Sequence, residues 1–260
     1  MTDRVLCLQG VHNFRDYGGY AARGGARLRT GQLFRSGHHV DATPEDLCLI
    51  EELNLATIID LRGDRERALY PCARPKVFRA DVIFAAGETA GSGHAPHVSA
   101  AQGVSTAEEA HVAMARLYES MPFRPKLVEV FRLYFKALAD NEGASLLHCL
   151  AGKDRTGLAV GLLHSLLGVH MDDIMEDYLL TNFAGDAERR IAAGADAVRA
   201  NMGEMMDDDA VRTVMSVHPA YLETAFSAIL AQHGTVEAYA RDVLGVSDAR
   251  RGALEQALLC

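Results

Sequence analysis

Apolar and polar positions follow one another along this chain in two rhythms. Ala56-Thr57-Ile58-Ile59-Asp60-Leu61 is a short β-branched run, the pattern of a strand buried on both faces. Ala144-Ser145-Leu146-Leu147 predicts a second buried strand, and Phe78 to Phe84 a third. Between them the apolar spacing is helical. Thr43 reads as an N-cap, Pro44 as the first helical residue, and Glu45 and Asp46 as acids of the first turn, followed by Leu47, Leu49, Ile50 and Leu53. After Pro125, the residues Leu127, Val128, Val130, Phe131, Tyr134, Phe135 and Leu138 mark one helix face. A further helix runs from about Leu158 to Leu167 and stops at Gly168. Strand and helix in alternation predict an α/β protein with a central, mostly parallel sheet flanked by helices. Residues 170–260 read as helical throughout. Pro219 opens one helix that ends at Gly234, Thr235 caps the next, and Ser247 or Asp248 caps the last.

Residues 78–122 interrupt the alternation. Ala85 to Gly103 is rich in Ala, Gly, Ser and His and reads as a long loop. Ser105-Thr106-Ala107-Glu108 is a capping box that opens an amphipathic helix with Val112, Met114, Leu117 and Met121. The expectation is a lid insertion within one domain covering residues 1–260. His94, His97 and His111 match no standard metal spacing, so no metal is expected. Met202, Met205, Met206 and Met215 read as core packing, and Asp207-Asp208-Asp209 as a solvated turn.

The chemistry concentrates in ten residues, His148-Cys149-Leu150-Ala151-Gly152-Lys153-Asp154-Arg155-Thr156-Gly157. They lie between a predicted strand and a predicted helix. A tight loop there aims successive backbone N–H groups and a helix N-terminus at one point, which suits an anion. Cys149 stands at the edge of that positive field, which favours a thiolate nucleophile. Arg155 offers a planar fork that matches two phosphate oxygens. A Walker-type nucleotide loop is excluded, because Asp154 follows Gly152-Lys153 where Ser or Thr is required. Asp60 closes a strand, so it and Cys149 are expected at the same crevice, outside the C-terminal strand ends. Arg35 and Arg62 stand near strand ends and are candidate supporting cations.

Composition narrows the picture further. The chain has 260 residues, 49% of them hydrophobic, enough for one core. Its net charge of −9 argues against a nucleic-acid binder. No apolar run reaches membrane-spanning length, and the first residues carry no signal-peptide pattern. The five cysteines are odd in number and scattered, which points to a reducing compartment and a cytoplasmic protein.

His-Cys-x-x-Gly-Lys-x-Arg-Thr-Gly resembles the signature of the Cys-dependent protein tyrosine, dual-specificity and phosphoinositide phosphatases. Asp154 inside the loop is similar to the bacterial group typified by the mycobacterial protein tyrosine phosphatase B and the Listeria lipid phosphatase. Asn13 to Gly19, Leu33 to Gly37, Ile58 to Arg62 with Glu66, and Tyr239 to Gly245 resemble other motifs of that group. The resemblance implies a tyrosine phosphatase-like sheet with a lid, and hydrolysis of a phosphomonoester through a phosphocysteine. Leu150, Ala151, Gly152, Lys153, Asp154 and Arg155 would hold the phosphate, His148 would support the loop, and Thr156 would donate to the departing sulfur. Many relatives keep their general acid on a loop after Trp-Pro, but this chain has no Trp. Asp154 is then the first candidate acid, Asp60 the second and Asp81 the third. Lys153 beside Arg155 suits a substrate with more than one phosphate. The expected partners are a phosphorylated protein or an inositol phospholipid, with inorganic phosphate as product and no cofactor. A catalytically silent phosphate-binding module and an arsenate-reducing or sulfur-transfer enzyme are the alternatives. The intact loop disfavours the first, and the lack of a cysteine paired in spacing with Cys149 disfavours the second.

Overall fold

The computed structural model describes the whole chain apart from residues 1–3, 91–102, 141–142 and 203–205. Among the described residues the strands are β1 (Arg15–Asp16), β2 (Leu33–Ser36), β3 (Leu55–Asp60), β4 (Asp81–Ile83) and β5 (Ala144–His148). The first five helices are α1 (Pro44–Glu52), α2 (Asp64–Leu69), α3 (Ala107–Ser120), α4 (Pro125–Asp140) and α5 (Asp154–Leu166). Then come α6 (Met171–Leu179), α7 (Ala187–Met202), α8 (Asp208–Met215), α9 (Pro219–His233), α10 (Val236–Asp242) and α11 (Asp248–Leu258).

The strands form one sheet in the order β1-β2-β5-β3-β4, with β1 antiparallel and the rest parallel. β5 lies between β2 and β3, and Ser36, His148 and Asp60 share one level at the strand ends. Every residue of β2 and β5 is buried, as a sheet covered on both faces requires. Side chains alternate across the sheet. Leu33, Leu147 and Ile59 face the main core, which includes residues of α4, α5, α9, α10 and α11. Phe34, Leu146 and Ile58 face a smaller core with Phe14, Val11 and Ile50 of α1.

Local signals set the helix ends. Thr43 Oγ1 accepts from the Asp46 N–H, and Asp46 returns the bond to Thr43 N, each at 3.1 Å. Asp207 accepts from Ala210 N and caps α8, so the acidic triplet is a helix start rather than a plain turn. Met206 and Met215 are buried in a third apolar cluster with Ala110, Val198 and Val214. Met205 and the Met202 side chain fall outside what is described.

The expected lid over 78–122 is redrawn at both ends. β4 joins the sheet beside β3. α3 turns Ala110, Met114, Leu117 and Tyr118 fully inward, because its apolar stripe packs against α8 and α9. The middle of that expected lid, with His94 and His97, lies outside the described residues.

Candidate active site

The loop from Cys149 to Lys153 joins the end of the central strand to the first turn of α5. Two of its carbonyls are pulled outward. Leu150 O accepts from the His38 N–H at 2.9 Å. Gly152 O accepts from Asn13 Nδ2 at 2.7 Å and from Arg35 Nη2 at 2.9 Å. In a trans peptide the next N–H points opposite the carbonyl. The N–H groups of Ala151 and Lys153 are thereby turned to the other side of the loop, as anion binding needs. Gly152 takes φ +66°, and a Cβ there would meet Ser36 O at 2.3 Å. Only glycine lets the loop lie this close to β2. Cys149 is 2% exposed, at the base of this loop.

Arg155, in the first turn of α5, is buried and held in a fork. Its Nη1 and Nη2 donate to the Glu66 carboxylate of α2 at 2.5 and 2.7 Å. Nη1 also donates to Leu61 O at 3.2 Å and to Thr89 Oγ1 at 3.0 Å. Burial opposes the charge on Arg155, but Glu66, with Cys149 and Asp154, outweighs it and raises the pKa above its ordinary value. The guanidinium is therefore a fixed cation. Arg155 Nε and Thr156 Oγ1 are buried with no hydrogen-bond partner among the described residues. Both are donors placed within the loop motif (a phosphate and a thiolate are acceptors).

A shell of buried ion pairs supports the loop. Asp177 of α6 accepts from Arg15 Nε at 3.0 Å and from Arg35 Nη1 at 2.6 Å. Arg15 also meets the Asn13 side chain, and Asn13 and Arg35 together hold Gly152 O. Burial pushes the Asp177 carboxyl up, while Arg15 and Arg35 pull it further down, so it ends below the usual carboxylate range. Arg35 is thus a brace behind the loop, bridging Asp177 and Gly152.

Asp60 and Arg62 form a second buried ion pair, beside His148. Arg62 Nε and Nη2 donate to the two Asp60 oxygens at 2.8 and 2.6 Å. His148 Nε2 stands 3.7 Å from Asp60 Oδ2. Burial raises the Asp60 carboxyl, but His148 and Arg62 more than reverse this and leave it below the ordinary range. Burial lowers His148 to about 4. The ring is neutral at neutral pH, and Arg62 is then the charge that keeps Asp60 ionised. An ionised carboxylate clamped on both oxygens has no proton to give. Asp60 stands level with His148 at the strand ends and clamps Arg62. Asp81 is exposed at the start of β4, paired with Thr57, and lies away from the strand ends that carry Cys149.

Asp154 is buried beside the loop. Its Oδ1 accepts from Tyr118 Oη of α3 at 2.9 Å and stands 3.1 Å from Lys153 Nζ. Tyr118 Oη in turn accepts from Tyr178 Oη of α6 at 2.7 Å. Lys153 Nζ donates to Val214 O at 2.6 Å and to Ser216 O at 3.2 Å. Its amine fastens the end of α8 to the loop, where the sequence suggested a cation facing substrate. His111 of α3 pairs with Tyr221 Oη of α9 at 2.6 Å. Among the described residues no group of three or more His, Cys, Asp or Glu side chains is placed to hold a metal ion.

Sequence reasoning missed three members of the site. Glu66 appeared only as part of a motif, without its role as the partner of Arg155. Asp177 and Tyr118 carried no signal, for they are an acid and a tyrosine on amphipathic helices, far along the chain from the residues they touch.

Comparison with known proteins agrees with this geometry. A model of the tyrosine phosphatase family matches residues 6–260. A Cupriavidus necator protein provisionally named a tyrosine-protein phosphatase is 33% identical over 246 residues, covering 94% of this chain and 86% of that one. The triple specificity protein phosphatase PtpB of Mycobacterium tuberculosis is 26% identical over 280 residues, covering 97% of this chain and 98% of its own. A tyrosine-protein phosphatase of Nostoc commune is 32% identical over 134 residues, 48% of this chain and 41% of that one. With a Cys-x5-Arg loop at the end of the central strand of such a sheet, this chain belongs to the tyrosine phosphatase family.

Proposed function

We propose that this chain, as one domain over residues 1–260, hydrolyses phosphotyrosine on proteins through a phosphocysteine, with Cys149, Arg155 and Asp154 as its chemistry. The observation that carries the reading is Arg155. It stands beside the Cys149 loop, locked by Glu66 of α2, with a buried Nε that no described residue satisfies. Such a donor matches a phosphate oxygen and is worth most as charge develops in the loose transition state.

Cys149 Sγ attacks phosphorus in line, an S–P bond forms, and the P–O bond to the leaving group breaks. Asp154 gives its proton to the departing oxygen. Water then attacks the phosphocysteine and passes a proton to Asp154. The S–P bond breaks, the thiolate returns with Thr156 as donor, and inorganic phosphate leaves. The backbone N–H groups of Leu150 to Arg155 hold the phosphate throughout. Arg35, Arg62 and Asp60 brace the loop, and His148 packs beneath it. The reaction draws on no cofactor.

Cys149→Ser is expected to abolish hydrolysis of an aryl phosphate, with inorganic phosphate still binding by calorimetry. Full turnover in that variant would overturn the covalent route. The triple specificity named for the mycobacterial relative supports a wider range. Phosphoserine and phosphothreonine peptides and an inositol phospholipid therefore belong in the substrate panel. For the lipid, a second-phosphate role for Lys153 requires its amine to leave the Val214 and Ser216 carbonyls. The four scattered cysteines outside the loop and the thiol that catalysis needs support a reducing, cytoplasmic setting. No helix among the described residues is long and apolar enough to cross a membrane.

A further inference from the structure

Two tyrosines lie behind the loop and have no part in the chemistry above. Tyr118 on α3 and Tyr178 on α6 are each 1% exposed or less, and their hydroxyls form a chain, Tyr178 to Tyr118 to Asp154 Oδ1. The direction of this chain is fixed. Tyr178 occupies a lone pair of Tyr118 Oη, so the Tyr118 hydrogen goes to Asp154. The chain is also held tightly against the loop helix. A Cβ at Gly157 would meet two ring carbons of Tyr178 at 2.9 Å, so the ring lies flush on the first turn of α5. We propose that Tyr118, itself held by Tyr178, is a positioning residue that sets the rotamer of Asp154 and decides which carboxyl oxygen carries the transferable proton. The proposal rests on the reading of Asp154 as the general acid.

The physical reason is the donor set at Oδ1. Tyr118 Oη donates to that oxygen at 2.9 Å, and the Lys153 ammonium stands 3.1 Å from it. A proton added to the carboxyl is therefore disfavoured on Oδ1. Burial and the neighbouring Asp154 charge raise Tyr118 well above the ordinary tyrosine value, so its hydroxyl stays a donor across the working range. Among the described residues, the titratable groups around Asp154 include Lys153 of the loop, Arg155 of α5, Tyr118 on α3, Tyr178 on α6 and Tyr221 on α9. The hydroxyls are neutral, and Lys153 and Arg155 are common to every variant below. The test thus changes one donor at a time.

The experiment measures kcat/KM against pH for aryl phosphates with good and poor leaving groups. In Tyr118→Phe the acid loses a donor that favours its ionised form, so the basic limb moves to higher pH. Poor leaving groups slow roughly tenfold, while good ones stay within about threefold, as loss of oriented general acid predicts. Tyr178→Phe, which only loosens Tyr118, moves the limb the same way by less. The double variant Tyr118→Phe/Asp154→Asn equals Asp154→Asn alone, because both act through one carboxyl. An unmoved limb in both tyrosine variants, with equal losses on all leaving groups, would overturn the proposal and leave the pair as packing. Should Asp154→Asn itself lack leaving-group dependence, the acid assignment falls, and the tyrosine role with it.

Discussion

A methyl group at position 152 would lie 2.3 Å from the Ser36 carbonyl oxygen on a backbone held at φ +66°. Both terms oppose any other residue. Gly152→Ala is expected to cost about 1–3 kcal/mol from the left-handed conformation alone, and more from the overlap. Because the strain is stored in the loop, kcat/KM should fall further than the drop in melting temperature explains. Thermal unfolding and phosphate hydrolysis measured on the same variant check this. At this scale the sequence was legible where neighbours in the chain are neighbours in space. Cys149, Gly152, Arg155 and Thr156 are named by their own loop. Glu66 lies 89 residues from Arg155, and Tyr118 lies 36 from Asp154. A single sequence carries no mark of such pairings. The same limit hid the partners of Lys153, for Val214 and Ser216 belong to a distant helix end.

Between elements, the contact of most consequence joins α2 to α5 through Glu66 and Arg155. Both side chains are at most 3% exposed. Breaking one side of a buried pair leaves the other charge uncompensated and costs about 3–5 kcal/mol. Glu66→Gln keeps the shape and removes the charge, so it should show both a large loss in urea stability and a weakened affinity for inorganic phosphate. Retained affinity with lost stability would make Glu66 a purely structural partner. The pattern of apolar positions located β3, β5, α1, α4 and the later helices, because each buries a face with its own period. It could not place α3. An amphipathic stripe says that one face is buried, not against what, and a lid and a core helix share that stripe. β1 has two residues, too few to show any period.

Over the whole molecule, buried charge ties stability to pH in two windows. His148 and His38 are each lowered to about 4, mainly by burial. Their neutral forms contribute stability above the ordinary histidine value of about 6.5, which is lost as pH falls toward 4. Asp177 and Asp60 are held below the ordinary value of roughly 3.9, so their contribution is complete above it and is lost at still lower pH. Urea unfolding across pH 3 to 8 should show a first decline below about 6.5 and a steeper one below roughly 4. Asp177→Asn should be less stable at pH 7, and its deficit should shrink in the lower window only. A deficit independent of pH would argue against the ion-pair origin. The place of β5 has a last consequence. A strand with parallel partners on both sides is the interior of its sheet, and interior strands exchange their amide hydrogens only when the entire domain opens. The Cys149 loop hangs from that strand, so its geometry has no cheap partial opening behind it. Denaturant should extinguish catalysis and the slowest-exchanging amides in one transition, not in succession.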